Sequence, residues 1–252
     1  MFGFSLIGTD FTFEGPLKKG YDGSFIVNYR YSTVGLISDL GLVDIGGIPK
    51  FQDASFKVVL PTNNFGKFSL FGLGGLSNLI FEDVKPTLWE TPGQRSMIGD
   101  IKEDFHKKAG LANIGLNHSY SLNSQSYIKT SLLYSTNSID DDIYETKFIR
   151  ILDDEGELLR DSSVDRTKNY TSTIRENTYR AAVTYNNKFS AKHKLQAGTK
   201  FAMFNLQNKQ SMFLNTPADR MSLTDFNENI STVRNYISWQ HRPSKDLTLV
   251  YG

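Results

Sequence analysis

The stretch FTFEGPLKKGYDGSFIVNYRY, residues Phe11–Tyr31, decides how the rest of the chain is interpreted. It consists of two alternating segments joined by a short turn that is rich in Lys, Gly and Asp. In the second segment one side carries Phe25, Val27, Tyr29 and Tyr31, and the other carries Ile26, Asn28, Arg30 and Ser32. A period of two with large apolar groups on one side is typical of a half-buried β-strand. The stretch therefore predicts a β-hairpin with a polar second face.

The same pattern recurs along the chain and predicts five hairpins, or about ten strands. The predicted pairs are residues 4–15 with 23–34, 51–60 with 67–77, 111–122 with 128–134, 177–189 with 193–206, and 231–242 with 246–252. The connections within pairs are short, whereas those between pairs are long and cover residues 35–50, 78–104, 136–176 and 207–230. Strands of about ten residues with short turns on one side and long loops on the other are typical of outer-membrane β-barrels.

Composition narrows the class of protein. Apolar residues make up 39% of the chain, which is low for a soluble globular protein, while aromatic residues reach 13%. Lys and Arg number 28 against 27 for Asp and Glu, so no overall charge favours nucleic acid as a partner. The absence of Cys excludes a disulfide scaffold, a thiolate metal site and a Cys nucleophile. No apolar run is long enough for a transmembrane helix.

These observations predict an all-β fold, an antiparallel transmembrane β-barrel with short periplasmic turns and long extracellular loops. In hydrocarbon every backbone amide must be paired, so strands cross a membrane only as a closed sheet. The first residues lack the pattern of a signal peptide, and the last, LTLVYG, stop inside a predicted strand. We therefore expect an incomplete arc, truncated at both ends. A soluble β-sandwich or lipocalin-like barrel, acting as a binding module, remains the alternative from another class.

Four motifs give the predicted barrel a resemblance to a known family. They are EGP-x-KKG at Glu14–Gly20, NYRYST at Asn28–Thr33, FQD-x-SFK at Phe51–Lys57 and FSLFG-x-GG at Phe68–Gly75. In this order and spacing they resemble the start of the barrel in one group of TonB-dependent outer-membrane receptors. Receptors of that group often carry a carboxypeptidase-regulatory-like domain ahead of the plug. The resemblance covers about residues 10–80, and the remainder fits generically as amphipathic strands.

The resemblance implies a barrel of about twenty-two strands plugged by an N-terminal domain. Residues 1–252 would be the N-terminal part of that barrel, without plug or signal peptide. The implied function is the import of a scarce nutrient (siderophore, glycan, peptide or cobalamin) across the cell outer membrane, not enzyme catalysis. The implied partners are outer-membrane lipid, the plug and remaining barrel of the parent chain, TonB acting through the plug, the nutrient and a surface lipoprotein. A passive porin or structural barrel stays open as an alternative.

Two sets of residues are candidates for function. Loops held on a rigid scaffold are where binding tends to reside. The ligand-binding candidates in the predicted loops are Trp89, Glu90, Arg95, Arg220 and Asp225. The second set consists of bases that the alternation assigns to the lumen, where they would line a channel, contact a plug or pair with acids. They are Arg30, Lys57, Lys129, Arg180 and Lys200.

No catalytic, cofactor-binding or metal-ligating residue is predicted. The S-x-x-K sequence at Ser126–Lys129 lacks the companion elements of serine acyl-enzymes. The glycine run Gly72–Gly75 does not complete a dinucleotide-binding pattern, and we expect it to allow bending or the close approach of another backbone. The four histidines have no ligand spacing, and the acid-rich segment 139–176 does not match a calcium loop.

Overall fold

The computed structural model describes residues 2–4, 8–42, 47, 49–90, 97–152, 158–214 and 219–252. Within them, one antiparallel sheet contains eleven strands in chain order. The strands are β1 (Phe2–Phe4), β2 (Gly8–Pro16), β3 (Ser24–Ser32), β4 (Lys50–Thr62), β5 (Gly66–Glu90), β6 (Met97–Ser121), β7 (Ser126–Leu152), β8 (Leu158–Lys188), β9 (His193–Phe213), β10 (Arg220–His241) and β11 (Leu249–Tyr251). A short helix, α1 (Thr33–Asp39), follows β3.

The predicted fold class is confirmed: the sheet is antiparallel throughout and open, with β1 and β11 at its edges in the part of the chain that is described. All five predicted hairpins are present as neighbouring strands. One strand was not predicted. β1 pairs with β2 through only three residues, which is too short a run to show a period in the sequence.

The prediction of long loops between the hairpins is wrong for most of their described residues. Segments 78–104, 136–176 and 207–230, predicted as loops, are largely continuations of β5 to β10 in their described residues. Helix α1 begins at Thr33 and extends into segment 35–50. The small hairpin expected within 139–176 is the distal part of β7 and β8, paired up to Leu152 and Leu158. The reason is that apolar and polar residues are mixed on each face of these extensions, as with Ile139 and Asp141 on the same face of β7. They therefore lack the apolar period by which a strand is recognised, although their backbones still pair.

The short turns all lie at one end of the sheet, which we call the turn end, and the side chains of Asn123 and Thr62 fix two of them. Asn123 accepts hydrogen bonds from the backbone N–H groups of Gln125 and Ser126, both at 2.9 Å. The Thr62 hydroxyl donates to the carbonyl of Gly66 at 2.7 Å. Gly66 has φ +78°, a value that suits glycine, and the turn therefore depends on that residue type.

The register gives the sheet two distinct faces, because residues directly opposite each other share a face. The apolar face, in its half near the turn end, carries Val27, Phe56, Leu70, Ile114, Leu116, Leu132, Tyr134, Tyr179, Phe201, Val233 and Ile237. The polar face carries the intervening residues, among them Asn28, Ser55, Asn117, Ser131 and Thr184. The alternation predicted from the sequence is therefore present in this half of the sheet.

The apolar residues form a band with a defined border on each side. At the turn end the border is aromatic: the His118 ring stacks on Phe68 at 4.3 Å, and His193 stacks on His241 at 4.5 Å beside Trp239. At the opposite border a row of amides crosses the face, where Asn177 and Asn205 are joined at 3.4 Å. Strand β7 crosses the band from Ile128, opposite Tyr120, to Thr136, opposite Asn177, over nine residues.

No apolar core lies between layers in the described residues. No hydrophobic side chain there is buried, and the fully enclosed side chains are small and polar, such as Thr33, Thr178 and Ser211. The accessible surface is 17164 Å². A compact monomer of 28.5 kDa is expected to expose about 11,000 Å². The chain is thus a single-layer sheet, and no described helix has the length and apolarity to cross a membrane.

Aromatic rings cover some strand glycines, which differs from the expectation that these glycines admit another backbone. At Gly72 a Cβ would meet the Phe56 ring at 2.5 Å and the Asn113 carbonyl at 3.2 Å. At Gly74, two residues further on the same face, the nearest atom would be the Leu111 carbonyl at 3.5 Å. Gly72 is therefore required by a side chain of this sheet, whereas Gly74 is not.

We expect Gly72→Ala to lower the free energy of unfolding by about 1–3 kcal/mol, because the added methyl group displaces the Phe56 ring in a fitted contact. The matched control is Gly74→Ala, for which we expect no loss, because the site has room and alanine reduces the freedom of the unfolded chain. Urea titration of both variants in the same detergent measures the difference. Equal effects of the two substitutions would contradict this account of Gly72.

Candidate functional site

The five bases predicted to face the lumen lie together on the polar face. Lys57 lies in the same row as Arg180, and Lys129 and Lys200 lie in neighbouring rows closer to the turn end. Arg30 is on the same face but further from the turn end. The common face is an observation, while its role as the lumen wall remains a prediction.

Arg30 differs from the other four bases because its charge is paired. Its guanidinium forms an ion pair with Asp53 at 2.8 Å and lies over the Phe51 ring at 5.2 Å. A charge that is paired within the sheet is not available to a partner. Arg30 therefore fits the reading, given in the sequence analysis, of a base that pairs with a neighbouring acid.

Four further bases join the polar face near the turn end. We define the basic wall as these eight side chains, all of them exposed: Lys57, Lys67, Lys129, Arg180, Lys188, Lys194, Lys200 and Arg234. The sequence analysis missed Lys67, Lys188, Lys194 and Arg234. Their even spacing from recognised positions in the same strands, such as Arg180 and Lys200, is the signal that identifies them.

An open cleft of about 910 Å³ lies in the basic wall. Lys57, Lys67 and Lys129 line it, together with the polar side chains Ser69 and Asn117. Among the residues that the structure describes, the Ser69 hydroxyl has no hydrogen-bond partner. The cleft therefore combines three ammonium groups and small polar groups with apolar side chains such as Val59, Phe71 and Tyr127, and the ammonium groups are the part of it that suits an anion.

Aromatic rings orient the cations of the wall. The ammonium group of Lys200 lies 5.3 Å from the centre of the Tyr236 ring, and Lys129 lies 5.5 Å from the Tyr127 ring. The Tyr236 hydroxyl is 2.9 Å from the Thr184 hydroxyl. A Cβ at Gly198 would lie 2.8 Å from the Tyr236 ring, so glycine allows the ring to lie flat against the sheet. Cation–π contact of this kind holds a base without neutralising it.

The distal half of the apolar face carries several ion pairs among its side chains. Arg175 contacts Asp140 at 3.0 Å, and Arg166 contacts Asp104 at 3.0 Å. These pairs connect strands β6, β7 and β8 beyond the apolar band. They explain how the long hairpins keep their register there.

Asp142 and Lys168 are the pair in this region with shifted pKa values, 2.9 Å apart. Burial alone would raise the pKa of Asp142, but hydrogen bonds from Lys168 and Thr171 and the nearby positive charge together lower it. Burial alone would lower the pKa of Lys168, but hydrogen bonds with Asp142 and Tyr144 together raise it. Both shifts favour the ionised pair.

The predicted ligand-binding residues do not converge with the basic wall. Arg220 and Asp225 lie in strand β10 and not in a loop, and they share the apolar face with the ion pairs. Arg220 donates to the Ser211 hydroxyl at 2.8 Å, and Asp225 lies 3.4 Å from Lys209. Both side chains are therefore engaged within the sheet.

Two of the other three ligand-binding candidates lie at the distal end of β5. Trp89 and Glu90 belong to that strand and pair with Gly99 and Ile98 of β6. Arg95 lies outside the described residues. A binding role for these residues remains a prediction.

The described residues hold no group of three or more His, Asp or Glu side chains placed to bind a metal ion. His193 and His241 are adjacent, but the Trp239 indole donates to His193 at 3.3 Å. This arrangement accounts for the pair as part of the aromatic border.

Comparison with known proteins adds limited information. No protein family matches the sequence, and no curated protein matches it. Among solved structures, the ferric yersiniabactin uptake receptor FyuA from Yersinia pestis matches with 8% identity and a TM-score of 0.34, over 94% of this chain and 42% of the receptor. The siderophore receptor PiuA from Acinetobacter baumannii matches with 8% identity and a TM-score of 0.32, over 94% of this chain and 46% of the receptor. The chain thus spans less than half the length of either receptor.

We expect Asp142→Asn to lower the free energy of unfolding by about 0.5 kcal/mol near neutral pH, because it removes an ion pair that is partly exposed. A carboxyl group with a lowered pKa stabilises the fold above its unfolded pKa, about 3.9, and this contribution is lost as the pH falls through the lower folded pKa. The difference between the wild type and Asp142→Asn should therefore vanish in strong acid.

Thermal unfolding between pH 2 and pH 7, compared with the control Asp246→Asn at the turn end, measures this effect. Asp246 lies in the turn between β10 and β11, so its substitution removes a carboxylate without removing this contact. A difference between the wild type and Asp142→Asn that stayed constant down to the lowest pH would contradict the account.

Proposed function

We propose that the chain is part of the wall of a transmembrane β-barrel in an outer membrane, with its apolar face in lipid and its polar face toward the lumen. We further propose that the parent protein is a TonB-dependent receptor that imports a scarce nutrient. The first proposal rests on the geometry of the apolar band. The second adds the motif resemblance at Glu14–Gly20, Asn28–Thr33, Phe51–Lys57 and Phe68–Gly75.

The single observation that carries the membrane proposal is the apolar band. Nine residues of strand, tilted by the usual 35–45°, give a height of roughly 21–24 Å, close to the 25 Å expected for the lipid-facing band of a barrel. Aromatic side chains border it on one side and amides on the other. No described residue packs over it, so lipid is the covering that its dimensions fit.

The position of the bases supports the same orientation. A Lys or Arg that faces lipid near mid-bilayer costs about 2–4 kcal/mol. Lys57 and Arg180 share a row near the middle of the band and lie on the opposite face of the sheet. The soluble β-sandwich is disfavoured, because the described strands form one layer with no buried apolar side chain.

In the proposed mechanism the distal hairpins project beyond the membrane and capture the nutrient. Strand β7 continues from Thr136 to Leu152 beyond the band, which corresponds to a reach of about 50 Å along the strand. The ion pairs Arg175–Asp140 and Lys168–Asp142 stiffen this region. The nutrient would then be released inward when TonB rearranges the plug of the parent protein. Trp89, Glu90, Arg95, Arg220 and Asp225 remain candidates for contact with it.

Two adjacent leucines test the membrane orientation. We expect Leu132→Arg, on the apolar face, to reduce the free energy of folding into lipid by about 2–4 kcal/mol, and Leu133→Arg, on the polar face, to change it much less. Folding of both variants into phospholipid vesicles, measured as a urea titration, compares the same substitution at neighbouring positions. Equal losses in the two variants would argue against a lipid-facing side.

Growth on limiting nutrients tests the import proposal. Deleting the parent gene should impair growth on one member of a panel of iron complexes, cobalamin, glycans and peptides, and removing TonB should reproduce the loss. The physical reason is that a plugged barrel releases its ligand only when energy is supplied from outside the barrel. If deleting the parent gene caused the growth defect but removing TonB did not, the result would support a passive porin instead.

A further inference from the structure

We propose that a cleft on the polar face, in the distal half of the sheet, binds a small ligand that combines an apolar ring with a positively charged group. The cleft measures about 470 Å³ and is lined by Ile143, Tyr170 and Met212 together with the acids Glu103 and Glu145. Sites for small organic molecules have volumes of about 300–1,000 Å³ and a mostly apolar lining with a few polar groups. The inference rests on the proposed function, because it names the chemical class of the nutrient that the parent protein would import.

The floor of the cleft belongs to a row of large apolar side chains that lie directly opposite each other across strands β5 to β10. We call it the inner row, and its members are Phe81, Phe105, Ile143, Tyr170, Met212 and Met221. Ile143 lies at even spacing from Lys129 and Leu133 along β7, and the pairing of β7 with β6 is regular between them. The inner row is therefore on the polar face, where it extends over about 24 Å.

The inner row lies well beyond the apolar band. Ile143 follows Thr136, at the border of the band, by seven residues, which correspond to about 23 Å along the strand. In the proposed orientation this position is outside the membrane. A ligand can therefore reach the cleft from water without crossing lipid.

Packing within the sheet does not account for the inner row. Met212 and Met221 are 38% and 43% exposed, and the described strands form a single layer, so no second sheet covers them. On the opposite face at the same level, the strands are joined by ion pairs such as that of Asp142 and Lys168 at 2.9 Å. Large apolar side chains left open to water in a contiguous set mark a binding surface.

Acidic side chains give the cleft its charge preference. Glu103 and Glu145 lie directly opposite each other, on the same face as the inner row and two residues further from the turn end. The Asn169 amide donates to Glu145 at 2.6 Å, and Lys147 lies 3.8 Å from it. Among the described residues, no cation lies within ion-pair distance of Glu103. Because opposed like charges destabilise a sheet, a positively charged group held near these acids is favoured.

An organic cation fits this arrangement better than a metal ion. In the described part of the chain, no three His, Asp or Glu side chains are placed to bind a metal ion. Tyr170 instead offers an aromatic ring on the same face as the acids, and such rings attract organic cations over their faces. The ligand would thus place its ring on the inner row and its charge toward Glu103.

The experiment titrates thioflavin T, a small aromatic cation whose fluorescence rises on binding, into the full 252-residue chain in a non-ionic detergent. The test variant is Tyr170→Ser, in the cleft. The matched control is Tyr144→Ser, which removes a tyrosine next to Ile143 but on the opposite face. We expect Tyr170→Ser to weaken binding by about tenfold and Tyr144→Ser by less than about twofold.

A second pair of variants tests the charge preference. Glu103→Gln removes a carboxylate from the cleft, and Asp104→Asn removes one from the opposite face, where Asp104 contacts Arg166. We expect Glu103→Gln to weaken binding of thioflavin T by about threefold, as for the loss of an exposed charge pair, and Asp104→Asn to change it much less. The anionic dye anilinonaphthalene sulfonate should bind more weakly than thioflavin T. Thermal unfolding of all four variants checks that they remain folded.

Three results would overturn the proposal. They are the absence of saturable thioflavin T binding, equal effects of Tyr170→Ser and Tyr144→Ser, and tighter binding of the anionic dye than of thioflavin T. The outcome is separable from that of the proposed function. If Leu132→Arg and Leu133→Arg differ in vesicles as expected but thioflavin T does not bind, the membrane orientation stands and the ligand class falls. If the dye binds and the two leucine variants do not differ, the reverse holds.

Discussion

The inter-strand backbone hydrogen bonds are the interaction on which the rest of this structure depends. A single-layer sheet has no apolar core to hold its strands, and no hydrophobic side chain among the described residues is buried. From β3 to β9 each strand pairs with a neighbour on both sides, which satisfies much of its backbone. This requirement explains why the strands run uninterrupted beyond the apolar band. Once a strand leaves the band, continued pairing still satisfies its peptide groups, and the side chains are free to be polar on both faces.

The strands of the apolar band could be predicted from the sequence, because there one face is apolar and the other is polar. Alternation around Ile114, Leu132 and Tyr179 identified the strands of the band, and turn chemistry at Asn123 identified their ends. Beyond the band this signal disappears, because both faces meet polar surroundings. The sequence therefore predicts loops at segments 78–104, 136–176 and 207–230, although most of their described residues belong to strands. β1 was missed because three residues cannot show a period.

The candidate site could be predicted in part for the same reason. Lys57 and Arg180 lie on the same face of the sheet, as their positions in alternating strands predict. The eight wall residues come together only through the register of seven strands, and that register cannot be deduced from a single sequence. Arg220 and Asp225 were grouped because both were expected in a loop at the mouth. In the structure they lie within a strand, on the face opposite to the wall, with partners in β9. The chain has nearly equal numbers of basic and acidic residues. The register nevertheless places unpaired bases in the wall and ion pairs in the distal half of the sheet.

The central claim is that the apolar face contacts lipid, and collision measurements on spin labels test it most directly. Labels would be placed at Leu116, Leu132 and Phe201 on the apolar face and at Ser131 and Ala182 on the polar face, with the chain in phospholipid vesicles. The account predicts high accessibility to oxygen and low accessibility to a water-soluble nickel complex for the first group, and the reverse order for the second. Labels on the apolar face that are open to the nickel complex, or closed to both reagents as under a second protein layer, would contradict it.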